Sequence, residues 1–149
     1  MNLPTWKFIF VATYLLVDLV YIYLSRSIYV ATTNRIQGNN SGFAARPLGA
    51  LLAYVSLIVG WVFLAVPWIE SRIRSEAKIS VVTALGYGLA GGLLYGLTVY
   101  GVFNGTLYAM FRGYDIGIVV RDLAWGLTSA SILSVAYAGV YYNVSRPAS

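Results

Sequence analysis

Four long apolar blocks, separated by short charged or Gly/Asn-rich stretches, constrain this chain more than any other feature. Each is long enough to cross a bilayer as a helix at about 1.5 Å rise per residue. Composition agrees: 59% of the 149 residues are hydrophobic and 10% charged, against roughly a quarter charged in an average soluble domain. The expected fold is all-α, a four-transmembrane-helix bundle with short loops, forming one integral membrane domain over residues 1–149. The expected location is a membrane crossed several times, of a type the sequence does not name.

The first span is expected from Trp6 to Tyr29. It is too long for the apolar region of a signal peptide, about 7 to 15 residues, and carries Asp18 at its middle, so a retained helix is expected. The polar stretch Val30 to Arg46 reads as an exposed loop. Pro47 then suits a helix start, and the second span is expected from Leu48 to Ile69. Glu70 to Lys78 reads as a short charged link between antiparallel neighbours. The third span, Ile79 to Tyr108, sits in a block longer than a perpendicular crossing needs, which tilt would absorb. The fourth is expected from Asp122 to Tyr142.

Two absences remove whole chemistries. With no Cys and no His in the chain, thiol nucleophiles, imidazole bases, disulfides, iron–sulfur clusters and the usual zinc or haem sites are excluded. No cofactor and no metal site is expected. The net charge of +5 comes mainly from scattered arginines, with no dense basic run, so the expected partners are membrane lipids rather than nucleic acid. Lys7, Arg72, Arg74, Lys78 and Arg146 on the termini side balance Arg26, Arg35, Arg46, Arg112 and Arg121 on the other. The concentration of Arg72, Arg74 and Lys78 in the shortest link favours termini inside. The Asn-x-Ser/Thr triplets Asn39–Ser41, Asn104–Thr106 and Asn143–Ser145 are too short a pattern to carry an argument.

Within the spans, Gly88, Gly92 and Gly96 recur at every fourth residue, a stripe that lets another helix approach closely, from this chain or another. Gly126, Ser129, Ala130, Ser134 and Ala138 give the fourth span a similar small-residue character. Asp18 stands out, because an ionisable side chain in mid-membrane costs several kcal/mol and faces the bundle interior or water. Tyr14, Tyr21 and Ser25 share its helical face. It reads either as a proton or ion relay point or as a carboxyl bonded to a neighbouring helix. Chain direction places Arg26, Tyr100, Asn104, Thr106, Arg121 and Asp122 towards the same end. Arg121 and Asp122 are adjacent and point apart, so each should pair with another element. Arg26, Arg112 or a lipid phosphate are the candidates, and a charge network fixing helix register is the structural alternative.

These residues also carry a family resemblance. Asp18, the run Tyr54…Gly60-Trp61-Val62-Phe63…Pro67, the stretch Tyr100 to Thr106, the turn Arg112-Gly113-Tyr114 and the segment Asp122-Leu123-Ala124-Trp125-Gly126 resemble the four-helix membrane proteins grouped as domain of unknown function 2177. The resemblance covers nearly the whole chain and implies this topology; it singles out Asp18, Asp122, Trp125 and Gly126 without naming a reaction. Asn104 stands where the family usually has an acid, and Leu107 where it usually has Asn. The family's occurrence in bacteria and large DNA viruses makes a viral membrane–capsid setting one expectation.

Three functions from different classes follow. The leading expectation is a non-enzymatic structural or assembly subunit, packed through its glycine face against other membrane or capsid-type proteins or against itself. The alternative is a small oligomeric transporter or channel using Asp18, since four helices seldom enclose a pore alone. A lipid enzyme with Asp18 and Asp122 as an acid/base pair comes third, because neither has a nucleophile or metal beside it.

Overall fold

A computed structural model describes residues 3–38 and 46–145. The triplet Asn39–Ser41 and Arg146 lie outside them. The described chain is helical throughout its length apart from short turns: α1 (Leu3–Leu24), α2 (Arg26–Gln37), α3 (Pro47–Gly60), a π-helical turn (Trp61–Ala65), α4 (Val66–Ser75), α5 (Val81–Met110) and α6 (Ile116–Ser145). Four helical stretches are long and apolar enough to span a membrane, Thr5–Leu24, Pro47–Ser75, Val81–Met110 and Ile116–Ser145.

The antiparallel pair α5 and α6 forms the centre. A Cβ at Gly88 would lie 2.6 Å from the Ser134 carbonyl oxygen, at Gly92 2.5 Å from Ser131 Cα, and at Gly96 2.5 Å from the Gly126 carbonyl oxygen. Only hydrogen at these positions lets the backbones meet. The neighbour that the glycine stripe serves is therefore α6 of the same chain, which leaves no room on that face for a second protein.

The second span departs from the expectation in the middle and at its end. Pro67 has no N–H to offer the Phe63 carbonyl, and its ring crowds that position. The ladder loosens just ahead of it into the π turn, where the Val66 N–H reaches back to the Trp61 carbonyl. Helix then continues through α4 to Ser75, so most of the expected charged link is helical. On the face of α5 next to the glycine stripe, a Cβ at Gly91 would meet Ile69 at 2.8 Å, which seats α4 there.

Two further differences concern the first and last spans. Val30 to Gln37 is helical rather than loop, as the second part of α2, because nothing in that polar stretch breaks a helix before Gly38. Gly38 closes it with φ 73°, its N–H bonded to the Asn34 carbonyl. The chain bends at Ser25, whose N–H still bonds the Tyr21 carbonyl at 2.9 Å. At the other end of the sequence, α6 starts at Ile116, so Arg121 and Asp122 lie more than a turn inside the helix.

One half of the bundle is closed. Phe10 of α1 packs edge-on against Tyr137 of α6 at 5.6 Å between ring centres, and Trp61 meets the same Tyr137 at 5.4 Å. The Trp61 indole N–H donates to Ser134 Oγ at 3.1 Å. Lys7 pairs with Glu70 at 2.9 Å, and Tyr137 donates to the same carboxyl. The other half is open: Leu57 alone is buried along α3, while Leu48, Leu51, Leu52 and Val55 face outward.

Candidate functional site: two carboxyls beside an intramembrane cavity

The polar face of α1 points inward. Tyr14, Asp18 and Ser25 are buried and Tyr21 partly so, as the helical spacing requires for groups that lipid would penalise. Asp18 is 5% exposed and Asp122 is 4% exposed. Asp18 Oδ1 accepts from Tyr100 Oη at 2.8 Å and from Trp125 Nε1 at 3.0 Å. Asp122 Oδ1 accepts from Tyr21 Oη and Tyr29 Oη, each at 2.6 Å. The two carboxyls are joined through the Tyr21 and Trp125 rings, which stack with centres 4.4 Å apart. Tyr14 Oη lies 3.4 Å from Tyr100 Oη and extends the phenol chain inward.

The bend at Ser25 is what delivers Tyr29. A straight continuation of α1 would carry it on along the same axis; after the bend, its phenol donates to Asp122. The bare face of Gly126 does the equivalent for Tyr100, since a Cβ there would lie 2.1 Å from Tyr100 Cδ2.

Asn104 is fully buried and holds its own place. Its Nδ2 donates to the Tyr100 carbonyl at 3.1 Å, and its Oδ1 accepts from Tyr114 Oη at 3.0 Å. Burial and the Asp122 charge push the Tyr114 phenol up to about 12. Beyond it, at the surface, Arg35 reaches Asp115 at 3.1 Å. The Gly117 N–H and then Arg35 hold the Asp115 carboxyl below its ordinary value.

Three of the expected site residues are not part of this arrangement. Arg26, Thr106 and Arg121 are exposed on the outside of their helices. The partners of Asp122 are phenols, not Arg26 or Arg112, which is also exposed. Tyr21, Tyr29 and Tyr54 are the site residues that charge-pairing arguments overlook; the sharing of one α1 face by Tyr21 and Asp18 was the available signal.

Between α1, α3, α5 and α6 lies a cavity of about 540 Å³. Asp18, Asp122 and Tyr54 line it, with Gly49, Ala50 and Ala53 along the α3 wall. The Tyr54 hydroxyl is buried without a hydrogen-bond partner among the described residues. Such a volume lies within the range of small-molecule sites, about 300 to 1,000 Å³. Among the described residues, no group of three or more acidic side chains could hold a metal ion.

No curated protein and no solved structure matches this chain. A family model described as a predicted membrane protein (DUF2177) matches residues 5–140, nearly all of the sequence, and it includes both carboxyls and every helix that lines the cavity. The chain is an integral, multi-pass membrane protein, and it belongs to that family.

Proposed function

We propose that this protein is a small membrane carrier, which takes a solute into the cavity between α1 and α3 and holds it at Asp18 and Asp122. The observation that carries the reading is the pair of buried carboxyls facing a cavity with, among the described residues, no Lys or Arg bonded to either. Intramembrane acids are expensive and are retained where they line a pathway or site. Two carboxyls kept only for packing would engage both their oxygens internally. The cavity lies within one chain, so binding needs no oligomer, although movement across the bilayer can still involve one.

The competing reading is a structural subunit of a larger assembly, including a viral membrane–capsid junction. What supports it is the lightly covered α1, whose span turns Phe8, Leu16, Leu19 and Val20 outward; lipid tails satisfy such a face equally well.

Native mass spectrometry of the full chain, released gently from its own membrane, separates the two. The carrier reading expects a small-molecule adduct that is lost in Ala53→Trp, which fills the cavity, and weakened in Asp18→Asn. A bare chain, or a fixed-ratio complex with other proteins and no adduct, would contradict it.

A further inference from the structure

The cavity has an uneven supply of hydrogen-bonding groups. Each carboxyl commits one oxygen, Oδ1, to two donors. Among the described residues no donor is bonded to either Oδ2. The buried Tyr54 hydroxyl, without a partner among the described residues, can both donate and accept. With both acids ionised, the two Oδ2 atoms call for N–H or O–H donors and for positive charge. Arg46, at the start of α3, borders the cavity without an ion pair to either acid. The Tyr21 and Tyr100 rings also line the cavity beside the acids.

Apart from Ser56 and the phenols, the rest of the lining is apolar and, along one stretch of α3, slim. A Cβ at Gly49 would meet nothing within 4 Å, and Ala50 and Ala53 add only methyl groups to that wall. The outward-facing leucines beside them put the wall next to lipid rather than water.

Resting on the carrier reading above, we propose that the occupant is a single-chain amphiphile with a primary ammonium head. An ammonium has three N–H donors, which match in number the two Oδ2 oxygens and the Tyr54 hydroxyl. Its chain lies along Gly49, Ala50 and Ala53 and leaves between α1 and α3 into the bilayer.

The test uses the full chain in lipid nanodiscs with dodecylamine, dodecanol and dodecanoate as probes, each binding signal being corrected by that of Ala53→Trp. Dodecylamine should bind at least about tenfold more tightly than dodecanol. Tyr54→Phe removes the phenol oxygen that the ammonium would reach and should weaken the amine about threefold. Should Ala53→Trp fail to fold, Gly49→Leu fills the same wall into open space. Equal binding of all three probes, or preference for dodecanoate, with the signal still blocked by the filling variants, overturns the ammonium head and leaves the carrier reading standing. No cavity-dependent binding of any probe overturns the amphiphile, and if the native adduct is also missing the carrier reading falls with it.

Discussion

Tyr100 and Gly126 are in such close contact that the ring of one occupies the space a side chain on the other would need, 2.1 Å from an added Cβ. The same Tyr100 hydroxyl donates to Asp18 at 2.8 Å. Helix packing and carboxyl positioning thus share one residue.

Gly126→Ala should displace Tyr100 and break its bond to Asp18. Overpacking of this kind costs about 1–3 kcal/mol, so the thermal midpoint in detergent should fall by several degrees. Tyr100→Phe, which keeps the ring and deletes the hydroxyl, should cost less. Equal midpoints for Gly126→Ala and wild type would contradict the contact.

Gly92→Leu drives a side chain into the Ser131 backbone, whereas Gly101 has nothing nearer its added Cβ than Leu97 at 3.6 Å. Folded yield should drop sharply for Gly92→Leu and stay near wild type for Gly101→Leu, as read by size-exclusion chromatography. A reversed order would place the α5–α6 contact on another face.

Glu70 accepts from Tyr137 and pairs with Lys7 at 2.9 Å. Glu70→Ala strands both groups, while Lys7→Ala leaves the Tyr137 bond intact. Hydrogen bonds to charged groups contribute about 1.5–3 kcal/mol, so Glu70→Ala should be the more destabilising by roughly that amount. Equal losses on chemical denaturation would argue against the shared carboxyl.

Asp115 titrates below its ordinary value because the Gly117 N–H and Arg35 favour its charged form. A depressed folded-state pKa gives stability that is present above the unfolded value, 3.8, and lost as pH falls through the folded one. The difference in thermal midpoint between wild type and Asp115→Asn should be largest near about pH 7 and vanish at strongly acid pH. A pH-independent difference would mean that the charge contributes nothing.

Much of this could be read from residue spacing. The face Tyr14–Asp18–Tyr21–Ser25 follows from helical geometry, and the stripe Gly88–Gly92–Gly96 from the need of two backbones to touch. Which helix fills that stripe is a tertiary fact, and α6 fills it. The polar stretch after Tyr29 is the exception, because Thr32, Asn34 and Arg35 suit a loop by polarity yet break no helix. Asp122 invited a search for arginines, but inside a membrane two phenols satisfy a carboxyl oxygen without bringing a second charge to be desolvated. Tyr29 reaches it from 93 residues away, beyond any local pattern. The cavity has no sequence signature, since it arises where α1 and α3 part above the aromatic closure at Phe10, Trp61 and Tyr137.

The central claim, that Asp18 and Asp122 face a ligand, is tested most directly by a cryo-electron microscopy reconstruction of the full chain in nanodiscs made from its own membrane. Non-protein density is expected between α1 and α3, touching both carboxyls and running past Ala53 to the lipid. A map in which α3 closes onto α1 and side chains fill the space between Asp18 and Tyr54 would contradict it.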